Sequence, residues 1–248
     1  MMRGVFKLFV QEFKLFLREP VMAFFSLIFP PAIMLLLGFV MGNEPNPLFG
    51  GKGSVDISVP AYVGMIIGIS AFMALPITLS TYREKGILRR YRTTPLRPIS
   101  VLAVQIALQY LMTLLGVAML AVLGKVVFSM AFEGSIAAVF LGFSFSCLSF
   151  FSLGLLMASL APSSRAAVVI GNVVLYPMVY LSGATIPLEV LPKAVRGVAR
   201  FIPMTHVVTL MRGLWTGEPL AAHGFEFIFL GAMMVICVAA ASFLFRWE

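Results

Sequence analysis

Long uncharged stretches alternate along this chain with short clusters of charge, and that alternation predicts its elements. In residues 3–19, Phe6, Phe9, Val10, Phe13, Phe16 and Leu17 share one helical face, and Lys7, Gln11, Lys14 and Arg18 share another. This predicts an amphipathic helix lying in a membrane interface, rings toward the acyl chains and cations toward the headgroups. A solvated leader to the first span is the alternative. Pro20 suits the first turn of a new helix, where no amide hydrogen is needed. The run 21–42 predicts a span kinked or broken at Pro30 and Pro31, and 43–60 reads as an outside loop with turn chemistry. A second span, 61–82, carries Gly64 and Gly68, whose spacing lets another helix approach closely unless it is incidental, and Pro76 adds a kink. Spans at 99–124, 135–164 (tilted), 166–182 and 225–245 follow, with an inside turn at 161–165. Between the last two spans, Gly183, Pro187, Pro192 and Pro203 interrupt a stretch in which Glu189, Lys193, Arg196, Arg200 and Arg212 alternate with apolar groups. It predicts two short helices, 188–200 and 205–215, dipping into the outer leaflet; irregular backbone at that depth needs protein or water around it.

Charge fixes the orientation. Arg83, Lys85, Arg89, Arg90, Arg92 and Arg97 stand together against the single acid Glu84. A Lys or Arg at mid-bilayer costs roughly 3 kcal/mol, so burying six would cost about 18 kcal/mol. Residues 83–98 are therefore a loop outside the bilayer, and their charge puts it on the cytoplasmic side. With six spans and both termini inside, Arg3, Lys7, Lys14, Arg18, Arg165 and Arg246 join that loop in the cytoplasm. Lys52, Lys125, Lys193, Arg196, Arg200 and Arg212 lie outside. Composition agrees: 60% of residues are hydrophobic and 11% charged, where soluble domains carry about 25% charged residues. The expected fold is an all-α membrane protein of six transmembrane helices. It has an amphipathic interfacial helix at the N-terminus and two short re-entrant helices before the last span. It reads as one transmembrane domain over 1–248, with the interfacial helix at 1–19, the cytoplasmic loop at 83–98 and the external region at 183–224. No cleavable signal peptide is expected, because the first apolar run is long enough to span and no small-residue cleavage pattern follows.

The chemistry is sparse. Cys147 and Cys237 each lie in an apolar run and read as packing residues. His206 and His223 stand apart on the external stretch, and no metal-ligand or catalytic motif includes them. Gly51-Lys52 lacks the glycine spacing of a phosphate loop, so no residue here is expected to bind or hydrolyse a nucleotide. The net charge of +8 is expected to meet anionic lipid headgroups; no motif supports nucleic acid. The predicted spans hold no Asp or Glu apart from Glu226 at an outer edge. Ion-coupled carriers usually place an acid inside a span, so energy for transport should come from another chain.

The loop Tyr82-Arg-Glu-Lys-Gly-Ile-Leu-Arg-Arg-Tyr-Arg-Thr-Thr-Pro-Leu-Arg-Pro98 resembles the signature of ATP-binding-cassette type-2 permeases, the group of daunorubicin-type drug exporters and polysaccharide exporters. A second likeness lies in Leu181-Ser-Gly-Ala-Thr-Ile-Pro187, Leu191-Pro192 and Ile202-Pro-Met-Thr-His206, ending at Arg212. The resemblance implies a half-transporter that pairs with a second permease copy, as homodimer or heterodimer, and binds separate ATPase subunits carrying ATP and Mg. It implies that Tyr82, Arg83, Glu84, Lys85, Gly86, Leu88, Arg89, Arg90 and Tyr91 contact the ATPase, with Thr94 and Pro95 turning the chain back to the membrane. From residue types, Glu84 suits a basic group on that partner, and Leu88 with Tyr91 an apolar contact; a merely topogenic basic loop is the alternative. By the same resemblance the outer helices gate release, with Pro187, Pro192, Pro203, His206 and Arg212 as gate residues. The substrate path would run between the second and fifth spans of the two protomers, past Tyr62, Met65, Phe72 and Met73 on the one and Asn172, Tyr176 and Tyr180 on the other. Lipid-facing or packing roles are the alternative for each of these.

The resulting expectation is the permease of an ATP-driven exporter in a prokaryotic inner membrane, moving amphiphilic drugs, lipids or glycans by alternating access. The rivals are a non-transporting scaffold or sensor, which tolerates alanine at Arg83 and Glu84, and a secondary carrier, which works with no ATPase.

Overall fold

A computed structural model describes residues 2–18, 20–45, 51–92, 98–185, 188 and 192–244. Among them every regular element is helical and no strand forms. Helix α1 is Met2–Arg18. Helix α2 occupies 20–41 as Pro20–Ala23, a π-helical turn Phe24–Ile28, and Phe29–Met41. Helix α3 is Ser54–Glu84 with a π-helical turn at Ser70–Ala74. Then come α4 (Ile87–Arg92), α5 (Pro98–Phe128), α6 (Ile136–Leu160), α7 (Ser164–Leu181), α8 (Lys193–Ala199), α9 (Pro203–Trp215) and α10 (Gly224–Leu244), the last preceded by a 3-10 turn, Leu220–His223.

Five helices, α3, α5, α6, α7 and α10 with its leading turn, are long and apolar enough to cross a membrane. The sixth expected span falls on α2, whose regular portion, Phe29–Met41, is only 13 residues. The kinks expected from proline take a specific form here. Proline donates no hydrogen bond, and its ring presses on the carbonyl four residues earlier. The wide turns Phe24–Ile28 and Ser70–Ala74 sit just ahead of Pro30-Pro31 and Pro76 and absorb both effects without breaking the helix.

Two expectations are corrected. Helix α3 runs beyond 61–82 at both ends, taking in Asp56 and Glu84. The basic segment is not a plain loop: a turn at Lys85-Gly86, with Gly86 at φ 65°, leads straight into α4. That left-handed angle suits glycine, and it lets the chain reverse within two residues.

Helix α3 is the axis of the fold. In its most apolar stretch 78% of residues are buried, against 17–44% in the other four long helices, so protein surrounds it while its neighbours keep faces for lipid. Ile66, Ile67, Phe72 and Leu75 of α3 share one core with Phe150 and Phe151 of α6 and Met204 and Leu210 of α9. Phe72 stacks on Phe150 at 5.3 Å between ring centres. Gly154 of α6 and Gly171 of α7 rest on the carbonyls of Ala71 and Phe72, so the wide turn of α3 is seated in two glycine notches. Side chains at those notches would prevent the approach. Gly64 and Gly68 face α9, where any added carbon would meet Val208 at 3.1 Å and the Met204 methyl at 2.5 Å.

At the Ser54 end of α3, Asn43 donates to Asp56 (3.1 Å) and to the Phe128 carbonyl (3.2 Å), and it accepts from the Val55 amide at 3.0 Å. The Ala131 amide donates to Asp56 at 2.9 Å. This knot joins the ends of α2, α3 and α5, and it satisfies amides that a helix start leaves without partners.

Candidate functional site

The Glu84 end of α3 gathers polar side chains that bond to several neighbouring helices. Three consecutive residues bond to four different neighbours. The Tyr82 hydroxyl donates to the Glu12 carboxylate of α1 and accepts from the Gln105 amide of α5 at 3.5 Å. The Arg83 guanidinium donates to the Ala158 carbonyl at 3.4 Å and to the Ala161 carbonyl, where α6 ends. Glu84 accepts from the Ser164 amide at 3.1 Å, where α7 begins.

The signs are matched to the helix ends. The last carbonyls of a helix carry partial negative charge, and the first amides partial positive charge. Arg83 meets the carbonyls at the end of α6, and its neighbour Glu84 meets the first amide of α7. The turn 161–163 between those helices is thus held by one cation and one anion from a single helix end. Ser163 completes the start of α7 by accepting from the Ala166 amide at 3.1 Å.

A second contact ties the hairpin to the N-terminal helix. Leu88 is 3% exposed and packs with Leu8, Val101 and Val104, with Val5, Phe9 and Tyr82 around them. Glu12 is 4% exposed. The expectation that the apolar face of α1 points to lipid is therefore corrected: Leu8, Phe9, Phe13 and Phe16 pack on α5 and on the start of α2. Burial there is available because α5 presents Val101, Val104, Leu108 and Met112 at helical spacing. Phe6 and Leu17 remain exposed beside Lys7 and Lys14.

The sequence-predicted site residues fall into distinct places. Leu88 and Glu84 are engaged within the chain, while Lys85 and Arg90 are exposed at the tip. Arg89 and Tyr91 lie on α4, and Thr94 and Pro95 fall outside the described residues. Tyr62, Met65 and Phe72 are buried inside the protomer, Met73 and Asn172 are half-buried, and Tyr176 and Tyr180 are exposed on α7. Within the chain, α7 and α9 pack against α3 and cover Tyr62, Met65 and Phe72. At the other end of the bundle, Pro192 precedes α8 and Pro203 starts α9. His206 is buried, 2.9 Å from the Arg200 carbonyl and 4.0 Å between ring centres from Phe229. Arg212 donates to the Gly183 carbonyl at 2.8 Å; Pro187 lies outside the described residues. Both cysteines are buried and unpaired.

Glu12, Gln105 and Ser164 were missed by sequence reasoning. Glu12 was legible as the sole acid within residues 2–18, and Gln105 as the first of a polar series, Gln105, Gln109 and Thr113, at four-residue spacing in an uncharged span. Nothing in the sequence pointed to the Ser164 amide.

Comparison with known proteins adds the following. The family model described as "ABC-2 type transporter" matches residues 3–216. The chain is 34% identical over 96 residues to "Nodulation protein J" of Rhizobium meliloti (strain 1021), covering 39% of this chain and 35% of that protein. A further "Nodulation protein J", from Rhizobium leguminosarum bv. viciae, is 39% identical over 74 residues, 30% of this chain and 29% of the relative. The "Inner membrane transport permease YhhJ" of Escherichia coli (strain K12) is 27% identical over 192 residues, 74% of this chain and 50% of the relative. The chain thus spans half or less of the length of these relatives.

Proposed function

This chain belongs to the ABC-2 type transporter family, and on that premise we propose that it is the permease subunit of an ATP-driven exporter. In this reading six helices cross a prokaryotic inner membrane, α2 being the sixth, and both termini face the cytoplasm. The name of the Escherichia coli relative, an inner membrane transport permease, supports the location. A separate ATPase chain binds ATP and Mg and docks on the tip of the α3–α4 hairpin, and a second permease copy completes the transporter. No catalytic residue is assigned to this chain.

One observation carries the reading: Tyr82, Arg83 and Glu84 join the base of a basic, exposed hairpin to α1, α5, α6 and α7. A partner that pulls on Lys85 and Arg90 therefore moves most of the bundle, which is the mechanical requirement for alternating access. Tyr82, Arg83, Glu84 and Leu88 act in this scheme as the root of the lever, and Lys85, Gly86, Arg89, Arg90 and Tyr91 as its grip. The exposed face of α7, with Tyr176, Tyr180 and half-buried Asn172, borders the substrate path between copies. Tyr62, Met65 and Phe72 join it only when α7 or α9 swings away from α3. Aromatic and Met-rich surfaces suit amphiphilic cargo.

The test is reconstitution. The chain and its ATPase should co-purify in mild detergent and move an amphiphilic dye in proteoliposomes only with ATP. Charge reversal of Lys85 and Arg90 together should abolish co-purification. Uphill transport by the chain alone would overturn the proposal.

A further inference from the structure

On the outer side, a histidine that serves none of the contacts above lies buried between two carboxylates. His223, 4% exposed, closes the 3-10 turn that leads into α10. Its Nε2 is 3.2 Å from Glu218 Oε2, and its Nδ1 is 3.8 Å from Glu226 Oε2. Glu218 belongs to the connection leaving α9, and Glu226 to the first turn of α10. The Glu218 amide donates to the Gly213 carbonyl at 2.9 Å, which fixes the connection against α9. Gly213 leaves the space the ring occupies: a side chain at that position would collide with the imidazole and with Glu218. The Glu218 side chain is 55% exposed, so protons reach the cluster from the outer solution.

Among the described residues the turn packs mainly on α9 and α10, whose other ionisable groups make contacts of their own. His206 faces the Arg200 carbonyl, Phe225 and Phe229. Arg212 reaches the Gly183 carbonyl. Glu133, on the segment beside Trp215, meets Gly217 through its main chain. The charges facing the His223 ring are thus the two carboxylates.

We propose that His223, Glu218 and Glu226 form a proton-operated latch that joins α9 to α10 on the outer face. Neither contact is a hydrogen bond; a protonated imidazole would hold both acids as an ion-pair partner, whereas a neutral one carries no charge to hold them. Acid outside therefore fastens α9, which is seated on the central helix, to α10, which lies along α6. Alkaline solution unfastens them. The latch is a property of the chain alone and does not depend on any ATPase or cargo.

Hydrogen exchange of the full chain in lipid nanodiscs tests it. After correction for the intrinsic chemical rate, opening of residues 213–226 should be at least about threefold rarer at about pH 5.5 than at about pH 8. The double variant Glu218→Gln/Glu226→Gln should lose this dependence, and Glu218→Gln, at an exposed position where folding is not at stake, should reduce it. His206→Asn should leave it intact. A flat wild-type profile, an unchanged dependence in Glu218→Gln, or its loss in His206→Asn would each overturn the proposal.

Discussion

Replacing Arg83 by methionine keeps most of the apolar stem and removes the guanidinium that holds the end of α6. Two bonds are lost, to the Ala158 carbonyl at 3.4 Å and to the Ala161 carbonyl. A hydrogen bond to a charged group contributes about 1.5–3 kcal/mol. One of the two is long and Arg83 is half-buried, so water recovers part of the loss and a net of about 2 kcal/mol remains. Each 1.4 kcal/mol is tenfold in an equilibrium, so local opening of the α6–α7 turn should become roughly 30-fold more frequent. Hydrogen exchange resolved by peptide, on the whole chain in nanodiscs, measures this directly: amides of 158–166 should exchange faster by that factor. The outer ends of α3 and α9 should hardly change. Arg83→Lys should fall between the two, since a single ammonium cannot match the planar fork across two carbonyls. If the 158–166 amides exchange as in the wild type while only the hairpin 82–90 loosens, Arg83 is no bridge between α3 and α6, and the lever argument fails.

The remaining predictions address neighbouring links. Glu12→Leu removes the acceptor of the Tyr82 hydroxyl in a buried site. It should destabilise the chain by about 1–3 kcal/mol, read as a lower Tm, with Glu12→Gln milder because its carbonyl still accepts. Glu84→Lys places a cation at the start of α7 and should uncouple transport from ATP hydrolysis while the ATPase still co-purifies, a split visible as retained ATP turnover without dye movement. Gly154→Ala forces a methyl group against the Ala71 carbonyl. Overpacking of this kind costs about 1–3 kcal/mol, so Tm should fall, whereas Gly197→Ala, where nothing lies within 4 Å, should leave it unchanged.

The inner hairpin and the outer connection were read from sequence with unequal success, for a physical reason. Hydropathy and charge act through the solvent, residue by residue, so a run of twenty uncharged residues announces a membrane helix wherever its neighbours are. The long apolar helices and the amphipathic leader were legible on that ground. Proline likewise marked where α2 and α3 depart from regular geometry. Which apolar face meets protein and which meets lipid is a different matter, because both environments accept the same side chains. The rings of α1 illustrate it: they read as lipid-facing, yet Phe16 is buried and Phe9 and Phe13 are half-buried against α5 and α2.

The sequence by itself determined that this chain is a helical membrane protein, where its long apolar helices lie, and that its most basic segment belongs outside the bilayer. Tertiary structure alone decided that α3 is the enclosed axis, that Gly64 and Gly68 receive α9, and that Arg83 and Glu84 clasp two helix ends. Those partners are backbone amides and carbonyls, which every residue carries, so no residue type could have announced them; only the approach of the chains selects which ones are used.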